Sequence, residues 1–163
     1  MSLGLIGCGS KTNPNDPQNT EGTAKKDSLK IAFTSEPPSL TTCDHDSLIA
    51  VGINMLTYNG LTRINMATLE PELDLASDYR IENEVEWIFT IKQGVKFHNG
   101  APLTSNDVKY SLERLVKKLK MGSLLEKVEG YQDLFDGKAD ELSGIVVVDD
   151  LHFEIHMSEV YTP

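Results

Sequence analysis

The chain has 163 residues, of which 39% are hydrophobic and 25% charged, and its net charge is −10. That length suits one domain or a piece of a larger one, with enough apolar content for a modest core. The acidity excludes a nucleic-acid binder, which needs a basic footprint, and no stretch reaches the roughly 20 apolar residues of a membrane span.

At the amino terminus, Leu5-Ile6-Gly7-Cys8-Gly9-Ser10 resembles a bacterial lipobox: two aliphatic residues, a small residue, then a cysteine for lipid attachment. No charged n-region precedes it, so Met1-Ser2-Leu3 reads as a start inside a trimmed signal sequence. Lys11 to Asp27 contains almost no apolar residue. Such a segment cannot bury enough surface to offset its ordering entropy, and it reads as a flexible tether. Residues 1–27 are therefore expected to be lipobox remnant and tether, and residues 28–163 the folded body. The two cysteines, Cys8 and Cys43, are too few for a disulfide scaffold.

In the body, Ser28 to Thr34 alternates apolar and polar residues, which predicts a strand ended by Glu36-Pro37-Pro38. Asp46 is placed to cap a helix over Ser47–Leu56, with Leu48, Ile49, Ile53 and Leu56 near one face. Asn59-Gly60 marks a turn, Leu61–Ile64 a short strand, and Glu70 to Ala76 a loop or helical turn. Tyr79–Ile81 and Glu86–Lys92 predict antiparallel strands, with Trp87, Phe89 and Ile91 on one side. Thr104 or Ser105 caps a helix running to about Lys120, with Asp107 in its first turn and Val108, Leu112, Leu115 and Leu119 as its buried stripe. Leu124–Phe135 predicts a second helix broken by Gly130 and ended by Gly137, and Ile145–Val148 with Leu151–Met157 a hairpin through Asp149-Asp150. The expected fold class is α/β, in the mixed α+β sense, with small mixed sheets and packed helices.

Candidate chemistry is sparse. His152 and His156 have the spacing of a helical metal pair, but on a strand they lie about 13 Å apart, too far for one ion. Cys43-Asp44-His45-Asp46 is a denser cluster of ligand-type side chains, yet adjacent residues diverge and a site needs three or four converging donors. A metalloenzyme using His45, His152 and His156 is the weakest of the rival readings. No nucleophile elbow, phosphate-cradling loop or zinc-protease motif appears. No enzyme, cofactor or metal is expected.

Four stretches, in order, carry a resemblance. They are Leu29-Lys30-Ile31-Ala32 with Glu36-Pro37-Pro38-Ser39-Leu40; Tyr58-Asn59-Gly60-Leu61-Thr62-Arg63; Pro71-Glu72-Leu73 with Ala76-Ser77; and Trp87 through Val108, extended by Tyr110-Ser111-Leu112-Glu113-Arg114. The last contains Gly94-Val95-Lys96-Phe97-His98-Asn99-Gly100. Together they resemble family 5 extracellular solute-binding proteins, the ligand-capturing subunits of peptide and nickel ABC importers. Thr41-Thr42 stands where that family usually has Asp-Pro.

The resemblance implies a class II periplasmic-binding-protein-like fold of two lobes closing on a ligand. Residues 28–163 would be an incomplete amino-terminal lobe with its accessory subdomain. It implies an extracytoplasmic lipoprotein, lipid-anchored through Cys8 to the outer face of the cytoplasmic membrane or periplasmic. Its partners would be an oligopeptide or dipeptide ligand and the ABC permease subunits, with no nucleic acid. Cys43, Asp44, His45, Asp46 and Ser47 match the segment that runs along the peptide backbone in peptide-binding relatives; the alternative is that the helix absorbs them as its cap. The same fold also accommodates nickel or another small solute, and a non-transport surface interaction module is the rival from another class. With half the clamp present, peptide affinity is expected to be weak, and the Leu29–Thr34 strand is expected to be poorly ordered or paired with another molecule.

Overall fold

A computed structural model of the chain describes residues 30–41, 47–119 and 122–160. It divides into two units, Met1–Thr34 and Ser35–Pro163. Of the first, residues 30–34 are described. They form no strand, contrary to the alternation in sequence, and the backbone bends at Thr34 and Ser35. Alternation prepares a segment for a ladder, but a strand exists only when a ladder partner satisfies its N–H and C=O groups.

The second unit begins with helix α1, Leu48–Thr57. Its extent agrees with the sequence reading, but its packing does not. Ala50 is its one buried residue, whereas Leu48 is 88% exposed and Met55 and Leu56 are also exposed. The stripe expected from Leu48, Ile49, Ile53 and Leu56 is thus not a buried face. Strands β1 (Thr62–Ile64) and β2 (Pro71–Leu73) then pair antiparallel, with Arg63 opposite Glu72. The sequence predicted a loop or helical turn at β2. Proline is tolerated here because β2 is an edge strand that opens on Pro71.

A four-stranded antiparallel sheet follows, in the order β3-β4-β6-β5, from β3 (Ala76–Glu82), β4 (Glu86–Ile91), β5 (Ile145–Val147) and β6 (His152–His156). Asn83 and Glu84, both at positive φ, make the β3–β4 turn, and Val85 N–H donates to the Glu82 carbonyl at 3.2 Å. Two left-handed residues give the turn the twist that the flanking strands require. The register places Tyr79, Phe89 and Phe153 abreast on one face, with Ile81, Trp87 and Ile155 beside them. The other face carries Arg80, Glu82, Glu86, His152, Glu154 and His156. Period-two alternation thus sorts most residues of β3, β4 and β6 into an apolar and a polar side, with Ile88 an apolar residue on the polar side, while β5 is apolar throughout.

Helix α2 (Ser105–Leu119) packs on β5 and on the short helix α3 (Tyr131–Phe135). Its start is fixed by Asp107, whose Oδ2 accepts from both Thr104 N–H and Thr104 Oγ1 at 2.8 Å. Glu113 Oε1 accepts from Leu142 N–H at 2.9 Å, tying the helix to the segment before β5. Among the described side chains of α2, Val116 and the first residue, Ser105, are fully buried, and Val108 and Leu112 are half-buried on the core side. The second predicted helix is instead a 3-10 turn (Gly122–Leu125) and then α3. Gly130 separates them at φ 79°, where a Cβ would lie 2.2 Å from Ser143 Oγ, so no other residue fits without a shift. Phe153, Ile91, Leu142, Ile145 and Val116, all under 2% exposed, form the centre of the core.

Candidate functional site

Of the predicted ligand-contacting residues, Cys43, Asp44, His45 and Asp46 lie outside the described residues, as do the lipid-attachment candidate Cys8 and the Asp46 cap. Ser47 is described. It occupies the N-cap position of α1 with extended backbone, and its carbonyl accepts from Val51 N–H at 3.0 Å. Its hydroxyl makes no capping hydrogen bond.

Three of the four resembling stretches converge in space. Leu75 N–H donates to the Gly60 carbonyl at 2.9 Å, and Asp74 and Ala76 N–H both donate to the Leu61 carbonyl, at 3.0 and 3.1 Å. Asn59 Nδ2 reaches both Asp74 carboxylate oxygens, at 3.2 and 2.9 Å. Lys92 N–H donates to the Leu75 carbonyl at 2.9 Å. The Tyr58–Arg63 stretch, the Pro71–Ser77 stretch and the Trp87–Val108 run are thereby one joint. Beside it is a pocket of about 180 Å³ lined by Tyr58, Asn59, Leu75, Val95, Phe97, His98 and Leu103 among others. Backbone bonds of this kind tie strings far apart in sequence together: each supplies one side of the same joint.

A larger concavity, about 400 Å³, lies between the β1–β2 hairpin and the β3 side of the main sheet. Leu61, Thr62, Pro71, Glu72 and Leu73 form its wall, and Tyr79, Trp87 and Phe89 its floor. The floor belongs to a ring ladder. Phe153 stacks on Phe89 (centroids 5.2 Å apart, planes 8° from parallel), and Phe89 on Tyr79 (5.8 Å, 24°). Trp87 stacks beside Tyr79 at 6.2 Å and Phe89 at 6.5 Å. Trp87 packs against the core from the strand side it shares with Phe89 and Ile91, and also lines the groove. The groove itself was missed because its wall is the β2 strand, which the sequence presented as a loop.

Apart from the buried Tyr131, the perturbed ionisable groups are members of surface pairs. Hydrogen bonds from Arg63, at 2.5 Å, and then Asn65 hold the Glu72 carboxyl below its ordinary value. Leu151 N–H and then the His152 ring do the same for Asp149 in the β5–β6 turn. Burial, with a smaller contribution from Glu126, raises the Tyr131 phenol. His152 and His156 sit on one strand, each held at 2.8 Å by its own carboxylate, Asp149 and Glu154. Among the described residues no group of three or more His, Cys, Asp or Glu is placed to hold a metal ion, and no helix is long and apolar enough to cross a membrane.

The sequence signatures thus build one hydrogen-bonded joint within a mixed α+β body, and comparison with known proteins gives its family. Residues 70–163, more than half of the chain, match the family of bacterial extracellular solute-binding proteins, family 5 Middle. The oligopeptide-binding protein OppA of Bacillus subtilis is 33% identical over 112 residues, 68% of this chain and 20% of that protein. The HTH-type transcriptional regulator SgrR of Photorhabdus laumondii is 41% identical over 71 residues, 44% of this chain and 13% of that protein. The murein tripeptide binding protein MppA, in its unliganded open form, superposes with a TM-score of 0.70 at 26% identity, over 78% of this chain and 26% of that one. The chain belongs to the family 5 extracellular solute-binding proteins, and its fold is that of their OppA-type members. It spans about a fifth of the Bacillus protein and a quarter of MppA.

Proposed function

We propose that this chain is the amino-terminal part of the substrate-binding subunit of an ABC transporter, a lipoprotein that captures oligopeptides or dipeptides outside the membrane and delivers them to the permease. The observation that carries this is the family match together with 33% identity to an oligopeptide-binding protein across 68% of the chain. In this reading residues 1–27 are the tether with Cys8 as lipid site, and residues 28–163 are part of lobe one with its accessory subdomain. Cys43 to Ser47 run along the peptide backbone, which adds as an extended strand. Closure of a second lobe supplies the side-chain pockets.

A second reading has its own observation. The sequence similarity over 71 residues to SgrR, a transcriptional regulator, supports a reading in which a solute-binding body works outside an importer. Calorimetry on the full-length gene product, with a peptide series and with Ni²⁺, tests the ligand. Micromolar peptide binding with no heat from Ni²⁺ is expected; the reverse overturns the peptide reading. The isolated 163-residue chain is expected to bind peptide far more weakly, and equal affinity would refute capture by two lobes. Labelled fatty acid incorporated by wild type and lost in Cys8→Ala tests the anchor.

A further inference from the structure

Among the described residues, strand β3 is one edge of the four-stranded sheet, and every residue from Ser77 to Glu82 is exposed. A free edge presents a row of unpaired N–H and C=O groups that templates another strand. Proteins usually blunt such edges with proline, charged side chains (lysine above all) or a bulge. This strand has no proline or lysine; it has a bulge at its start and three charged side chains, Asp78, Arg80 and Glu82, which alternate in sign along its polar side. Its irregularity, a bulge between Ala76 and Asp78, sits at the amino-terminal end and leaves Asp78–Glu82 regular.

We propose that β3 pairs antiparallel with β3 of a second copy of this chain, about a two-fold axis at Tyr79. In that register Asp78 lies opposite Arg80 of the second copy, and Arg80 opposite its Asp78; each Arg80, whose Nε already lies 2.7 Å from Glu82 Oε1 of its own strand, then stands between two carboxylates on the polar face. On the apolar face Tyr79 meets its own counterpart. The ring ladder Phe153–Phe89–Tyr79 ends at Tyr79, which is 44% exposed, so the two ladders join into one of six rings. Directly opposed side chains come within about 5 Å, close enough for both contacts. A shift of the axis to Arg80 sets Arg80 against Arg80 and Asp78 against Glu82, and like charges reject it. An axis at Ile81 keeps ion pairs but sets Tyr79 against Asn83 beyond the strand end and breaks the ladder. Charge alternation and the ring ladder together select one register, and the symmetry makes the contact closed and isologous.

One strand edge buries less surface than a standard interface, so the dimer is weak, with a dissociation constant in the range of about 10–1,000 µM. Sedimentation equilibrium of the 163-residue chain, under reducing conditions and at physiological salt, reads it across that range. Asp78→Arg alone and Arg80→Asp alone are each expected to weaken self-association at least about tenfold, because both pairs become repulsive. The double variant D78R/R80D restores it. Most telling, D78R mixed with R80D forms a heterodimer, since each supplies the charge the other lacks; this also shows both variants folded. A wild-type chain that stays monomeric, single variants that dimerise as wild type does, or a mixture that fails to pair overturns the proposal. So does hydrogen exchange in which the β3 amides become protected only on adding an extended peptide of other sequence, because the edge then serves a different occupant.

Discussion

Phe153→Ala is the sharpest test of how this body holds together. Phe153 is 0% exposed, lies opposite Phe89 on β4 and Val147 on β5, and stacks on Phe89 at 5.2 Å. A buried aromatic ring removes about 150–250 Å² from water, worth an upper limit of about 4–6 kcal/mol at ~25 cal/mol per Å². Measured Phe→Ala costs of about 3–5 kcal/mol, which include the cavity, bracket the same value. We expect a loss of about 4 kcal/mol, or about 15 °C in melting temperature for a body of this size. Trp87, the single tryptophan, stands in the same ladder, 6.5 Å from Phe89, so its fluorescence in a urea titration reports the transition. Tyr79→Ala at the exposed end of the ladder is the control, measured at low micromolar concentration to keep the chain monomeric. It should cost about 1 kcal/mol, the value of one aromatic contact with little burial. If Phe153→Ala costs under about 1.5 kcal/mol, or Tyr79→Ala costs as much, the ladder is not anchored at β6 and the packing argument fails.

Gly130→Ala should cost more than about 2 kcal/mol, since a left-handed residue there also drives its Cβ to 2.2 Å from Ser143 Oγ; Gly137→Ala, left-handed but with open space around it, should cost about 1 kcal/mol, and equal losses by denaturant titration would contradict the steric account. Asp107→Ala removes the acceptor of two hydrogen bonds at the start of α2 and should lower stability by about 1 kcal/mol, with Asp107→Asn recovering part of it in the same assay. Asp149 has a depressed folded-state pKa, so its turn contribution is fully present above its ordinary value of 3.8 and is lost as pH falls through the lower folded value. A carboxyl chemical-shift titration should place that midpoint below 3.8, and a midpoint at or above it would refute the hydrogen-bonded turn.

Much of the fold was legible because local rules and tertiary context agree. The β3–β4 and β5–β6 hairpins follow from period-two alternation around Glu82-Asn83-Glu84 and Asp149-Asp150, and α2 follows from Thr104 and Asp107 ahead of an apolar stripe. The disagreements are places where partners at a distance decide. Lys30–Thr34 has a strand's pattern and no strand, because pattern supplies no ladder partner. Pro71–Leu73 looks like a loop and is a strand, because Thr62–Ile64 pairs with it. Leu124–Phe135 has helical composition, but Gly130 is needed in the left-handed region where Ser143 passes close by.

By itself the sequence determined the family, since four short strings in order are local facts that no packing is needed to read. It also determined the face on which each strand residue points, because alternation is a property of the extended backbone. Only the tertiary structure decided that three of those strings form one hydrogen-bonded joint, that the helix after Ser47 leaves its apolar residues exposed, and that an aromatic ladder ends at an open strand edge. These depend on which distant segments meet, and burial and pairing are energies of contact between segments rather than properties of any one of them.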